Sequence, residues 1–487
     1  MSEPVHAPLF IDGEFREASN GARYDVIDPC DETLVGTGAN ATLEDVQAAV
    51  GAARRAFDIT DWSEDRALRK HCLLQLQDGL RDSAEEIKDM QTAEGAIPAS
   101  VRALVDSEID EMSYHIDLID SFEWTTDFSP HEILGMRSHR HVRYEPYGVV
   151  GAITPWNSPF MLNNWKVVPA LATGNTVVLK TAPETPISGA MLAKVIQEKT
   201  DIPAGVFNLI SSNDNAVGGD GLTGDPRVDM FHFTGSTAVG ERIYQRAAVG
   251  IRKVVLELGG KSANIVLDDA DLDIAVPFSA GMCMLNSGQG CTLATRLIVH
   301  ASLYDEMIDR LASIVSVLPF GDPRDPATVV GPIIRADQVD RIEGLVNRAV
   351  EGGARVVVGG RRPDREKGFW YEPTVIVDVD ENAEIAQTVV FGPVLSVIKF
   401  DGDDGEAIRI ANNSRYGLSG YIQTRDEERA WNIARRLRTG TVNIGPSAFQ
   451  SPNVPFGGNG MSGIGREHGI DGWREFLQPK SIATPAV

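Results

Sequence analysis

The sequence predicts an α/β fold, and three observations carry that prediction. Short β-branched runs alternate with stretches of helical pattern along both halves of the chain. Helix-length stretches separate several of those runs, as parallel βαβ units require. The length, 487 residues, exceeds one ordinary core, so about two or three domains are expected.

The elements follow in order. Ala41-Thr-Leu-Glu-Asp45 opens a helix at a Thr cap and runs to about Phe57, and Glu64–Leu80 and Ala84–Thr92 continue the helical region. Ser138–Tyr144 is extended and polar, more a projecting hairpin than core. Strands are expected at Val149–Ile153, Thr176–Leu179, Val206–Ile210, Met230–Phe233 and Lys253–Leu256, with helices at Ile187–Lys199 and Ala238–Val249 between several of them. The second half repeats the alternation at Arg296–His300, Tyr304–Val317, Gln338–Glu351, Arg355–Val358 and Val394–Phe400. Gly36-Thr-Gly-Ala-Asn-Ala41 fits the GxGxxA fingerprint, but it follows the turn-like Asp28–Thr33 and reads as a connecting loop. Gly457–Gly463 resembles a phosphate loop without its lysine, and reads as tight backbone passage near the far end of the catalytic domain.

Composition narrows the function classes. The chain is 43% hydrophobic and 23% charged, with no apolar run long enough to span a bilayer. Met1–His6 lacks the basic start of a signal peptide, so a cytoplasmic protein is expected. A net charge of −24 argues against nucleic acid and anionic membrane as partners, but says little about a small substrate. The cysteines Cys30, Cys72, Cys283 and Cys291 are too few for a disulfide framework and form no CxxC pair. No HExxH occurs, and His131, His139 and His141 read as exposed hairpin residues, so no metal is expected.

The chemistry concentrates in two segments. Asn286-Ser-Gly-Gln-Gly-Cys291 offers a thiol in a glycine-flanked, accessible turn. Leu256-Glu257-Leu-Gly-Gly-Lys-Ser262 offers a lone carboxylate followed by glycines that let backbone pass near a ligand. A nucleophile and a carboxylate able to activate water suggest covalent catalysis through a thioester. Cys283, in an apolar stretch, reads as an inert buried thiol. Thr154-Pro-Trp-Asn-Ser-Pro159 follows a strand, and Asn157 has an amide suited to a developing oxyanion, or to a turn. Phe233-Thr-Gly-Ser-Thr-Ala-Val-Gly240 is a strand–turn–helix start where Ser236 and helix amides suit a pyrophosphate, or form a plain cap. Lys180 ends a strand within reach of a ribose or phosphate, although by itself it reads as an exposed strand-end lysine.

These motifs, in this order from near Phe10 to the C-terminal tail, resemble the aldehyde dehydrogenase superfamily. Phe391-Gly-Pro-Val394, Tyr416-Gly-Leu418, Pro455-Phe-Gly-Gly458 and Ser462-Gly-Ile-Gly-Arg-Glu467 match its later signatures. The resemblance implies a Rossmann-like cofactor domain (1–123 and 148–257), an α/β catalytic domain (258–469) and a small β oligomerisation arm (124–147 and 470–487). It implies NAD as cofactor, with NADP open, a small-molecule aldehyde as substrate, and a homodimer or homotetramer. By resemblance Cys291 attacks the aldehyde, Asn157 and the Cys291 amide hold the oxyanion, and Glu257 activates water to hydrolyse the thioester. Cofactor contacts would come from Ile153, Thr154, Pro155, Trp156, Lys180, Phe233, Gly235, Ser236, Val239, Leu258, Gly259 and Phe391. Substrate-channel positions would be Ser158, Trp165, Leu285, Gly290, Thr292 and Phe456.

Departures from the family pattern matter. Val389 stands where a ribose-holding glutamate is common; Pro183, with Glu184 one step later, replaces the carboxylate that repels a 2′-phosphate; Ser212-Asn-Asp214 replaces a Gly-x-Gly and tilts the reading to NAD. Ser158 replaces a frequent aromatic, which suggests room for a medium or bulky apolar aldehyde. Two alternatives are a CoA-acylating semialdehyde dehydrogenase, disfavoured by Glu257, and a catalytically weakened binding member, disfavoured by the intact Cys291, Glu257 and Asn157.

Overall fold

The computed structural model describes residues 5–448 and 450–486, so the reading of the extreme N-terminus falls in part, at Met1–Pro4, outside the described residues. Two large sheets dominate. The first has eight strands, and its centre is five parallel strands: Lys253–Leu258, Met230–Gly235, Val149–Ile153, Thr176–Lys180 and Phe207–Ile210. From Val149–Ile153 the chain adds strands on one side, then returns and adds them on the other. Open parallel sheets bind ligands at such a reversal, outside the carboxyl ends of the strands. The register Ile153↔Lys180 and Ile153↔Phe233 brings these strand ends together there.

The central strands are buried on both faces, which explains their continuous apolar runs. Helices supply the covers. Leu43–Ile59 starts at Thr42 with a reciprocal Thr42–Asp45 capping box, and Pro186–Lys199 packs against the same sheet. Leu104–Ser121, absent from the sequence reading, packs on Arg66–Asp82 and on Pro159–Ala172.

The second sheet runs Arg355–Val358, Thr374–Val377, Val394–Phe400, Arg296–His300, Ala263–Val266, Ser419–Gln423 and Thr441–Ile444, parallel except at its first strand pair. The chain crosses from one sheet to the other between Leu258 and Ala263, immediately after Glu257. A third, three-stranded sheet joins Thr125–Ile133, Met136–Pro146 and Leu477–Pro485. Among the described residues no helix is long and apolar enough to cross a membrane, and no group of three or more His, Cys, Asp or Glu is placed to hold a metal. His141 instead meets Asp127 across the hairpin at 2.6 Å.

One expectation is overturned. Gly36–Ala41 is not a connecting loop, because Leu34–Ala39 is a strand, parallel to Val5–Ala7 and antiparallel to Arg23–Ile27. Its glycines serve close packing: an added Cβ at Gly36 would lie 2.0 Å from the Val5 carbonyl oxygen, and at Gly38 2.4 Å from the Tyr24 ring.

The Gly457–Gly463 passage has a definite destination. Gly463–Ile464 forms an edge strand antiparallel to Lys253–Leu258, with Gly463 opposite Glu257. Gly463 has φ +137°, and a Cβ there would lie 1.9 Å from the Leu256 carbonyl oxygen. Gly463→Ala should therefore cost about 2–4 kcal/mol through backbone strain and loss of this pairing. The check is urea denaturation, and a midpoint equal to that of the parent would refute the assignment.

Candidate active site

A cavity of about 420 Å³ opens at the strand-order reversal and extends to the second sheet. Asn157, Glu257 and Cys291 all line it. Each comes from a different piece of backbone: Asn157 from the loop after Val149–Ile153, Glu257 from within Lys253–Leu258, and Cys291 from the loop before Arg296–His300.

The Cys291 loop is held under strain. Asn286 and Ser287 both adopt positive φ, +49° and +56°, a costly choice for side chains other than glycine. Hydrogen bonds hold it so. Ser287 Oγ donates to the Gly331 carbonyl at 3.0 Å and accepts from the Gly331 amide at 2.8 Å. The Asn286 amide donates to the Asn157 carbonyl at 2.8 Å, and the Asn157 amide donates to the Gln289 carbonyl at 3.0 Å. Asn157 is thereby fixed beside the thiol's loop, with one of its two amide hydrogens uncommitted.

Electrostatics around the thiol and carboxylate run one way. Burial, reinforced by the negative fields of Glu257 and Glu467, pushes the Cys291 thiol up to about 12. Burial also holds the Glu257 carboxyl well above the usual carboxylate range, with Glu467 adding to the shift and Lys166 opposing it. Neither Glu257 oxygen has a hydrogen-bond partner among the described residues. Gly457 passes so close that an added Cβ would lie 2.5 Å from Oε1. Behind this carboxyl, the Lys166 ammonium donates to Glu467 Oε1 and to Thr234 Oγ1, each at 2.7 Å. Lys166 and Glu467 are both fully buried.

Seven of the residues expected to face a cofactor line the cavity: Pro155, Trp156, Gly235, Ser236, Leu258, Gly259 and Phe391. The Trp156 and Phe391 rings meet edge to face at 5.5 Å. Ser236 caps the helix Thr237–Ala248 and accepts from the Val239 amide at 3.4 Å. Five others lie off the cavity lining. Ile153 and Phe233 are packed in the core, Thr154 Oγ1 donates to Asn163, and Val239 lies half exposed on the helix. Lys180 is the fifth. It is not the exposed strand-end lysine of the plain reading, because its side chain is buried, with burial lowering its ammonium from the ordinary value and Glu184 opposing that shift.

The cavity suits a dinucleotide on chain-intrinsic grounds. It combines an anion-favouring helix N-terminus, an aromatic pair and a buried ammonium at the neighbouring strand end. The sequence reading missed Arg335, Gln338 and Arg341, which line it from the second sheet's side, although it had singled out Val389 and Tyr416 beside them. No local motif marks the arginines; only the tertiary approach of the helix Ala336–Glu351 brings them in.

None of the residues expected to line a substrate channel is in the lining of this cavity. Ser158 is buried, and its Oγ donates to the Asn157 carbonyl at 2.6 Å. Trp165 donates to Glu108 at 2.7 Å and packs edge-on to Phe456 at 5.7 Å. Leu285 caps the helix Leu272–Met284, Gly290 sits against Leu293, and the Thr292 carbonyl accepts from the Tyr421 hydroxyl at 3.0 Å. Cys283 is fully buried, as the apolar stretch around it predicts.

Comparison with known proteins agrees with this geometry. The model of the Aldehyde dehydrogenase family matches residues 15–482. The chain belongs to the aldehyde dehydrogenase family. A putative aldehyde dehydrogenase of Staphylococcus saprophyticus is 38% identical over 480 residues, covering 97% of this chain and 98% of the relative. Lactaldehyde dehydrogenase from Escherichia coli superposes with a TM-score of 0.93 at 35% identity, over 99% of this chain and all (100%) of that one. The NAD+ complex of an aldehyde dehydrogenase from Bacillus cereus gives a TM-score of 0.94 at 33% identity, over 99% and 97% of the two chains. The fold class and the family resemblance read from the sequence are thus borne out, and with them the assignment as an enzyme.

The enzyme's buried acids make one stability prediction. Burial raises the Glu108 carboxyl to about 8 against the pull of its bond from Trp165, whereas an unfolded glutamate titrates near ~4.3. The native state holds the extra proton between those values, so this group's contribution falls as pH rises through that window. Glu108→Gln mimics the neutral acid. Its stability relative to the parent should grow by about 1–3 kcal/mol from pH ~5 to pH ~8. A gap independent of pH in chemical denaturation would count against it.

Proposed function

We propose that this enzyme oxidises an aldehyde to a carboxylic acid through a Cys291 thioester, with NAD+ as hydride acceptor and water as acyl acceptor. The observation that carries the reading is the convergence of Cys291, Glu257 and Asn157 on one cavity beside a helix N-terminus. Pro155, Trp156, Gly235, Ser236, Leu258, Gly259 and Phe391 would hold the dinucleotide, with Lys180 at the strand end facing its adenosine ribose. A nicotinamide bound there supplies the hydride acceptor that converts the thiohemiacetal at Cys291 into a thioester.

The chain's own groups do the rest. The Cys291 thiol, kept protonated by burial, must give up its proton as sulfur bonds to the carbonyl carbon. That proton passes to solvent, because burial holds the Glu257 carboxyl toward its own protonated form. The uncommitted Asn157 hydrogen and the Cys291 backbone amide meet the oxyanion that forms. Once the thioester stands, the ionised Glu257 carboxylate takes a proton from water as the oxygen adds to the acyl carbon, the C–S bond breaks, and Glu257 returns that proton to the departing Cys291 thiolate. The Glu257 carboxyl in the cavity favours this hydrolysis over transfer to CoA.

We assign residues 1–123 and 148–257 to the cofactor domain, 258–469 to the catalytic domain, and 124–147 with 470–487 to an oligomerisation arm. Supporting the last, the three-stranded sheet exposes Phe128, Ile133, Leu134, Met136 and Ile482, an apolar surface that a partner subunit would cover. A dimer or tetramer is the expected state. The substrate is proposed to be a medium or bulky apolar aldehyde. A graded aldehyde series tests this, and best kcat/KM on the shortest members would rule it out.

Separating the two half-reactions tests the mechanism. Cys291→Ala should give no NADH at all. Glu257→Gln should produce about one equivalent of NADH per active site and then stall, because acylation outlives the loss of the hydrolytic base; uninterrupted turnover would refute the assignment. Asn157→Ala should lower kcat by about 10²–10³-fold. Glu257 acts only when ionised and its carboxyl is held high. Steady-state kcat should therefore rise with pH above the usual carboxylate range, and a flat profile would contradict the assigned role.

A further inference from the structure

The chain carries a net charge of −24, yet the cofactor cavity is lined by Arg335 and Arg341 against a single acid, Glu257. Burial holds that acid toward its neutral form. The cavity lining therefore carries two guanidinium groups in an acidic protein. Arg341 is committed, because its guanidinium donates to the Val389 and Val390 carbonyls. Arg335 is not. It precedes the helix Ala336–Glu351 and reaches across to the other sheet's side, where Nη1 pairs with Glu184 in the turn after Lys180. Nε bonds Asp337 at 2.6 Å, and Nη2 has no hydrogen-bond partner among the described residues. Ser236, Thr237 and Ala238, at the N-terminus of a twelve-residue helix, line the same cavity.

We propose that Arg335 clamps the cofactor's diphosphate against this helix N-terminus, with Glu184 holding the guanidinium over the cavity until the diphosphate replaces it. The proposal rests on the reading of the cavity as the dinucleotide site. A guanidinium presents a planar fork matched to phosphate oxygens, and the helix end supplies amide donors and positive potential. The clamp also accounts for Val389. With an apolar residue where the family pattern keeps a carboxylate for the ribose, affinity shifts from the ribose hydroxyls to the phosphates. Glu184 then acts as a competitor for Arg335, because its carboxylate and the diphosphate seek the same guanidinium.

Calorimetric titration of the intact protein with NAD+, ADP and adenosine, without aldehyde, tests this. Arg335→Ala should weaken NAD+ and ADP about tenfold or more and leave adenosine unchanged, while Arg335→Lys falls between. NAD+ binding by Arg335→Ala should also depend less on salt. Glu184→Gln should bind NAD+ as tightly as the parent or tighter. Thermal melting without ligand checks that each variant is folded. Parent-like NAD+ binding by Arg335→Ala would overturn the proposal. So would equal weakening by Arg335→Ala and Glu184→Gln, which would make the ion pair a structural strut. A parent protein that binds no NAD+ would instead defeat the cofactor reading itself.

Discussion

The buried ion pair between Lys166 and Glu467 is the constraint on which the site depends. Both side chains are shut away from water, so each charge has lost its hydration and relies on the other. Lys166 lies on the helix Pro159–Ala172, and its second bond, to Thr234, reaches the strand that ends at Gly235. Glu467 is fixed from the C-terminal side by paired backbone bonds with Phe456, each 2.7 Å. One contact therefore ties the helix behind Asn157, the strand leading to Ser236 and the glycine passage over Glu257. Removing either partner would leave an uncompensated charge in the middle of all three.

The same pair sets the electrical setting of the proposed base. Glu467 raises the Glu257 carboxyl and Lys166 lowers it, and burial outweighs both. A carboxyl held toward its protonated form beside a protonated thiol is quiet in the resting protein. It becomes a base only when something draws the proton away. The strained Asn286–Ser287 turn belongs to the same arrangement, because hydrogen bonds to Asn157 and Gly331 hold a costly backbone shape that presents Cys291 to the cavity.

Much of this was legible in the chain. Doubly covered parallel strands bury both faces, so Val149–Ile153 and Thr176–Lys180 announce themselves as unbroken apolar runs. Capping chemistry is local, so the helix start at Thr42 was readable. Where the sequence misled, the competing cause was packing. Gly36 and Gly38 looked like loop residues but serve a strand pressed against Val5 and Tyr24. Ala263–Val266 hides among Gly, Ser and Asp, since a short strand needs little periodicity once neighbours on both sides pair with it. The helix Leu104–Ser121 carries enough acidic residues to mask its apolar face, and one of them, Glu108, is buried by its neighbours.

The sequence by itself supplied the candidates for the proposed chemistry: a glycine-flanked cysteine, a carboxylate before two glycines and an asparagine after a strand, because such reactivities belong to residue type and local backbone. It also determined the α/β class, since burial on two faces leaves its mark residue by residue. Only the tertiary structure decided how charge is arranged around those groups. Lys166 and Glu467 are 301 residues apart, and Arg335 and Glu184 are 151 apart. Electrostatic fields act through space and grow as water is excluded, whereas a pattern along the chain records only what is near in sequence.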